Sequence, residues 1–282
     1  MLDSAVEHYA RQARITALGL IAARRARDQG DMDRLLAVVV GAQFAAVREA
    51  ADAVPAMLEE QGVDAEPVAQ VVPAGLVGVA SDGRALGSLL ELAETAEQFD
   101  RIVETQLQDV ARNASSVAIA ARPAVTGYVR MINPGACSRC VILAGKWFRW
   151  NQGFKRHPQC GCRHVPAQEN VAGDLATDPR VYFESLSAAE QDKAFTRSGA
   201  EAIRDGADIA KVVNANRSGM ATAQTVHGVE MQVTRESMTA RGDAKQAMDG
   251  RGVRLMPESI YKAADDRDDA IRLLRLYGYI TD

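Results

Sequence analysis

The sequence predicts a mainly α fold, with a helical N-terminal region over residues 1–122, a small irregular α+β knot over 123–170, and a helical C-terminal region over 171–282. Three observations predict it. Apolar residues recur every three or four positions through the first 120 residues, the period of one helix face. Aromatics are only 5% of the chain while alanine is abundant, which suits helices packed closely on small side chains. The periodicity then fails from Gly127 to Pro166, where turn residues take over and all four cysteines fall.

Taken in order, Ser4 is a candidate N-cap for a first helix whose pattern runs from Val6 through Ile21 into a basic tail, Arg24-Arg25-Ala26-Arg27. Asp31 can cap a second helix carrying Leu35, Leu36, Val39, Phe44 and Val47 and ending before Pro55. Pro67, Pro73 and several glycines make Val63 to Gly87 a region of short helices or turns. A long third helix places Ala96, Phe99, Val103, Leu107, Val110, Ala114 and Val117 on one face. Its opposite face carries Glu97, Arg101, Glu104, Gln108 and Arg112, and Pro123 ends it. Short strands are expected at Gly127–Met131 and Lys146–Trp150.

Helix returns at Ser187-Ala188-Ala189-Glu190, a capping box for a helix to about Arg197. Another is expected over Ala200–Asn214. A polar loop at about 216–254 holds one candidate strand, Val229–Thr234. Pro257 starts a short helix, and Asp266–Leu276 forms a last one stopped by Gly278.

The longest apolar stretch, Leu35 to Val47, is broken by Gln43 and falls short of the roughly 20 residues a membrane-spanning helix needs. The polar start, Met1-Leu2-Asp3-Ser4, lacks the basic-then-apolar order of a secretory signal, so synthesis in the cytoplasm and no membrane partner are expected. Charge is uneven. Ala111 to Gln168 contains no Asp or Glu but nine Lys or Arg, so a net charge of −4 leaves −13 on everything else. That block either faces a negatively charged partner or pairs with acidic helices of the same chain. The candidate partner-binding face is Arg139, Lys146, Arg149, Lys155, Arg156 and Arg163.

The cysteines follow the pattern Cys137-x2-Cys140, then His157-Pro158-x-Cys160-x-Cys162-x-His164. A C-x2-C turn sets two thiolates about a metal's width apart, and a second short-spaced pair closes a tetrahedron around zinc. Pro158 stiffens the second turn and Gly161 lets the backbone bend between Cys160 and Cys162. Nearby arginines and lysine favour the thiolate form that binds metal. The candidate ligands of one structural Zn²⁺ are Cys137, Cys140, His157 and Cys160, with Cys162 first in reserve and His164 behind it. Four protein ligands leave no open position, and the segment holds no carboxylate to act as general base, so no catalytic residue is assigned.

The run Cys137-x2-Cys140, Gly145, Phe148, His157-Pro158-x-Cys160-x-Cys162 and Pro166 resembles the MuF-like minor head proteins of tailed bacteriophages. Downstream, Tyr182-Phe183-x-Ser185-Leu186, Ile203-Arg204-Asp205-Gly206-Ala207-Asp208, Leu255-Met256-Pro257-Glu258 and Tyr277-Gly278-Tyr279 resemble the versions in phages of actinobacteria. The resemblance covers about Phe99 to the C-terminus. It implies a non-enzymatic minor capsid component of the virion, portal-associated or in the capsid interior, acting in head morphogenesis and DNA passage. Its implied partners are the portal or major capsid protein and the packaged DNA, with no small-molecule substrate. The alternative is a zinc-containing nucleic-acid-binding protein, in which Trp147, Phe148, Trp150 and Phe154 would stack on bases. More often such aromatics form the miniature core of a zinc site. An enzyme using His227, or Asp205 with Asp208, is a third class, although acids beside a glycine turn are usually caps.

Overall fold

The computed structural model describes every residue except 1, 133–134, 155, 176, 218, 220, 227–228, 240, 249–252 and 282. The fold is mainly α, with two small three-stranded antiparallel sheets. The chain divides into two compact units: residues 1–134 with 144–177, and residues 135–143 with 178–282. The expected separate knot at 123–170 is therefore not a unit of its own. Its strands belong with the N-terminal helices.

In the first unit, α1 (Asp3–Asp28) and α2 (Met32–Glu60) form a helical hairpin. Gly19 permits their close approach: a Cβ there would lie 2.9 Å from the Ala42 Cβ. Helix α1 starts one residue before the expected cap. Ser4 lies inside its first turn, where its backbone N–H donates to the Glu60 carboxylate at 2.9 Å. Asp31 caps α2 as expected, accepting from the Arg34 N–H at 2.9 Å. Pro55, however, does not end α2. An interior proline costs about 3 kcal/mol or more, but Val54, Met57 and Leu58 on either side are buried, and that packing holds the helix through the proline.

After the short α3 (Leu86–Leu90), α4 (Ala96–Ala120) opens on a reciprocal capping box between Thr95 and Gln98. Phe99, Val103, Leu107, Val110 and Ala114 are buried along it, the predicted face. Val117 is 42% exposed, and Arg112, assigned to the polar face, is 1% exposed. The second half of α4 is covered on more than one side because the sheet packs there too.

That sheet has the order β2-β1-β3, with β1 (Gly127–Met131), β2 (Trp147–Arg149) and β3 (Arg163–Ala167). The first two match expectation and β3 does not appear in the sequence reading. Gly127 has to be glycine: it pairs with Arg149, and a Cβ would lie 2.1 Å from the Phe148 carbonyl oxygen. Val165 and Met131 pack against Ala5, Ala53 and Met57 of the helical hairpin.

The second unit contains α5 (Ser138–Val141), α6 (Pro179–Ser185), α7 (Ala188–Phe195), α8 (Arg197–Arg204), α9 (Ile209–Ala215), β4 (Ala221–Val226), β5 (Val229–Thr234), α10 (Asp243–Ala247), β6 (Arg254–Leu255), α11 (Pro257–Ala263) and α12 (Arg267–Leu276). The Ser187–Glu190 capping box and the Pro257 start form as predicted, and the last helix ends by Gly278, whose φ is +69°. The single helix expected over 200–214 is two, broken where Gly206 adopts a φ of +101°. The candidate strand at 229–234 forms as β5, the centre of the sheet β4-β5-β6.

Candidate metal centre

Cys137 is the cap residue of α5 and Cys140 lies within that single turn, its N–H donating to the Cys137 carbonyl at 2.9 Å. Downstream, the N–H of Cys160 donates to the His157 carbonyl at 3.2 Å, closing a turn with Pro158 and Gln159 at its centre. Gln159 has a φ of +60°, a left-handed conformation that costs a side chain of this kind roughly 1–2 kcal/mol. Two contacts to α4 hold it there. Its N–H donates to Thr105 Oγ1 at 2.9 Å, and its Nε2 donates to Glu104 at 2.6 Å.

Cys137, Cys140 and His157 offer ligand atoms within 4.8 Å of one another, and so do Cys140, Cys160 and Cys162. Tetrahedral zinc with Zn–S bonds of about 2.3 Å sets its sulfurs about 3.8 Å apart, so this spacing fits a metal ion. Cys140 is common to both groups. Cys140, Cys160 and Cys162 are buried, Cys137 is half-buried, and His157 is exposed, its Nδ1 lying 2.7 Å from the Pro158 carbonyl oxygen. Such a contact is typical of a metal-binding histidine that presents Nε2, provided Nδ1 carries the proton. All five predicted ligands are thus drawn into the cluster. Cys162, placed in reserve, is as central as Cys160.

His164, the sixth candidate, faces an aromatic core instead. Its ring stacks on Tyr128 with centroids 4.1 Å apart, and meets Phe154 edge-on at 5.3 Å. Its Nδ1 lies 3.1 Å from Ser116 Oγ. Burial, with Arg112 and other guanidiniums nearby, holds the imidazole neutral, well below its ordinary pKa. Phe148 stacks on Tyr128 at 5.6 Å, and Phe154 packs with both, so these two aromatics form a small core. Trp150 is 49% exposed.

The basic block does not form one exposed face. Arg163 is 2% exposed, a correction to its placement on the partner-binding face: it belongs to β3, whose residues are all buried. Burial, with Arg112 nearby, lowers the Arg163 pKa to about 10. Arg112, Arg122 and Arg130 are buried as well. Arg139, Lys146, Arg149 and Arg156 remain exposed, although Arg139 donates to Asn214 Oδ1 at 2.6 Å and Arg156 lies 3.5 Å from Asp109. Lys155 falls outside the described residues, as does His227. Of the two acids considered for catalysis, Asp205 accepts from Tyr261 Oη at 2.7 Å and pairs with Arg267, while Asp208 caps α9.

Arg130 and Arg112, which reach the Cys160–Cys162 turn, are not among the site residues expected from the sequence. Arg130 Nη2 lies 3.4 Å from Cys162 Sγ and 3.8 Å from Cys160 Sγ. Arg112 Nη1 donates to the backbone carbonyls of Cys160 and Cys162, and its Nη2 to Asp109. A signal existed: arginines in a block without carboxylates have cysteines as the nearest candidate anions.

No family model, curated protein or solved structure matches the chain. Among the described residues no helix is long and apolar enough to cross a membrane.

Proposed function

We propose that the chain is a minor structural component of a phage head, stiffened by one zinc ion. The observation that carries the metal half is the convergence of four cysteines and His157 in two groups that share Cys140. Soft thiolates select zinc among the common divalent ions, and a set rich in sulfur with no carboxylate is that of a closed structural site. Cys137, Cys140, Cys160 and Cys162 hold the ion in this reading. Zinc bound there supplies a cross-link between short turns that have little apolar core of their own. The residues place the ligands: α5 presents Cys140, and the Gln159 turn, anchored to Glu104 and Thr105, presents Cys160.

The virion half rests on the resemblance carried by the cysteine motif together with the segments from Tyr182 to Tyr279. The role that follows is assembly at the portal or the capsid interior, with the portal or major capsid protein as partner. Mass spectrometry of purified particles tests it. The protein should be present at low, fixed copy number, and its absence from particles would reject the reading. Metal analysis of reduced protein purified without chelators should give about one zinc per chain.

Nucleic-acid binding is the second reading, favoured by Lys146, Arg149 and Trp150, which lie exposed along and beside β2. Such a patch can grip phosphate and stack on a base.

A further inference from the structure

Three arginines from three different elements are buried close to the Cys160-Gly161-Cys162 turn: Arg112 on α4, Arg130 on β1 and Arg163 on β3, each no more than 2% exposed. Burying a guanidinium costs several kcal/mol unless opposite charge and hydrogen bonds compensate. Asp109 supplies one carboxylate, and it is shared between Arg112 and Arg156. For Arg130, the sulfurs of Cys160 and Cys162 are further acceptors within reach. A thiol adds no charge, whereas a metal-bound thiolate is formally negative and keeps lone pairs for hydrogen bonds.

Arg130 is placed for that role. It is opposite His164 in the β1–β3 register, and its guanidinium lies over the Phe154 ring at 4.2 Å, which fixes its plane. From there one terminal nitrogen reaches both sulfurs, at 3.4 Å and 3.8 Å. Arg112 holds the carbonyls of the same two cysteines, so the turn is fixed from its backbone side as well.

We propose that Arg130 is a positioning residue of the metal centre, donating to the metal-bound sulfurs of Cys160 and Cys162 and slowing release of the ion. The inference rests on the metal-site reading above and assigns the residue that makes that site retentive. A lysine would keep the charge but not the planar guanidinium that lies on the Phe154 ring and aims Nη2 at the sulfurs.

The test uses the full chain loaded with cobalt(II) or with an NMR-active cadmium isotope. Wild-type cobalt protein should show the strong visible bands and near-ultraviolet sulfur-to-metal charge transfer of a tetrahedral thiolate site. If the wild type takes up neither metal, the site reading itself fails, and this inference with it. Removing a hydrogen-bond partner of a ligand costs about 10–100-fold in metal affinity, and where that loss falls on release, transfer of cobalt to a chromophoric chelator should be faster by about that factor from Arg130→Gln, with Arg130→Lys in between. Folded variants releasing metal at the wild-type rate would overturn the role of Arg130 while leaving the site intact. Should both variants fail to fold, the wild-type cadmium protein decides. Scalar coupling between cadmium and the Arg130 Nη protons, transmitted through the N–H···S bonds, supports the assignment, and its absence with cadmium bound overturns it.

Discussion

Cys140 occupies a different position from the other ligand candidates, because both groups of donor atoms contain it. Cys140→Ser should therefore remove the metal altogether. His157→Ala should leave about one ion bound, since four sulfurs complete a tetrahedron without the exposed imidazole. Metal analysis of the two purified variants checks the order, and loss of metal from His157→Ala would make the histidine one of the four ligands. A second residue-scale effect concerns acid. Glu49 is partly buried, which alone would raise its pKa, but hydrogen bonds from His8, Arg11 and Gln12 outweigh burial and hold it below 4.5. A carboxylate depressed in the folded state adds stability that is fully present above its unfolded pKa and is lost as pH falls through the folded one. Thermal unfolding should therefore show the wild type losing stability below about pH 4.5 more steeply than Glu49→Gln, which has no carboxylate to titrate. Parallel acid limbs would mean that the α1–α2 clasp does not depend on that charge.

At the scale of elements, α4 is the clearest test of packing. Phe99, Val103 and Leu107 are buried against the α1–α2 hairpin, and burying a leucine side chain contributes about 1.5–3 kcal/mol. Leu107→Asp adds the cost of an unpaired buried carboxylate and should unfold or aggregate the first unit, whereas Arg101→Asp on the exposed side should be tolerated. Circular dichroism and soluble yield report the ranking, and its reversal would mean the wrong face was assigned. This helix was legible because its apolar period and the polar run Glu97, Arg101, Glu104 and Gln108 agree. What was not legible has specific physical causes. Strand β3 reads Arg-His-Val-Pro-Ala, and nothing in that run announces a strand buried along its whole length. Arg112 falls at helical spacing after Arg101 and Gln108, so periodicity assigns it to solvent. Only the arrival of the Cys160–Cys162 turn makes it a buried donor. The cysteine cluster was visible from spacing alone. Its arginine surroundings were not, because they come together from α4, β1 and β3 only in three dimensions.

For the whole molecule, the two proposed functions differ in what the basic segment meets, nucleic acid or a protein of a phage head. The sequence concentrates nine basic residues in one segment and leaves −13 elsewhere. Folding removes Arg112, Arg122, Arg130 and Arg163 from the surface, and Asp109 engages Arg156. Long-range attraction to DNA is therefore weaker than the segment's composition implies, and the acidic remainder opposes it. Salt screens that repulsion beyond about 10 Å, so local contact with phosphates by Lys146 and Arg149 is physically allowed. Each phosphate neutralised contributes a slope of about −0.9 to log K against log salt. If these two residues grip DNA, Lys146→Glu with Arg149→Glu should weaken binding and flatten that slope by about two phosphates' worth. If instead they face a protein partner in the head, wild-type affinity for duplex DNA should already be negligible at physiological salt, and the double variant should be depleted from assembled particles. We expect the second pattern. Fluorescence anisotropy with labelled duplex over a salt series, paired with quantitation of the variant in purified particles, separates the two. Submicromolar duplex binding by the wild type at physiological salt would reverse the ranking of the two functions.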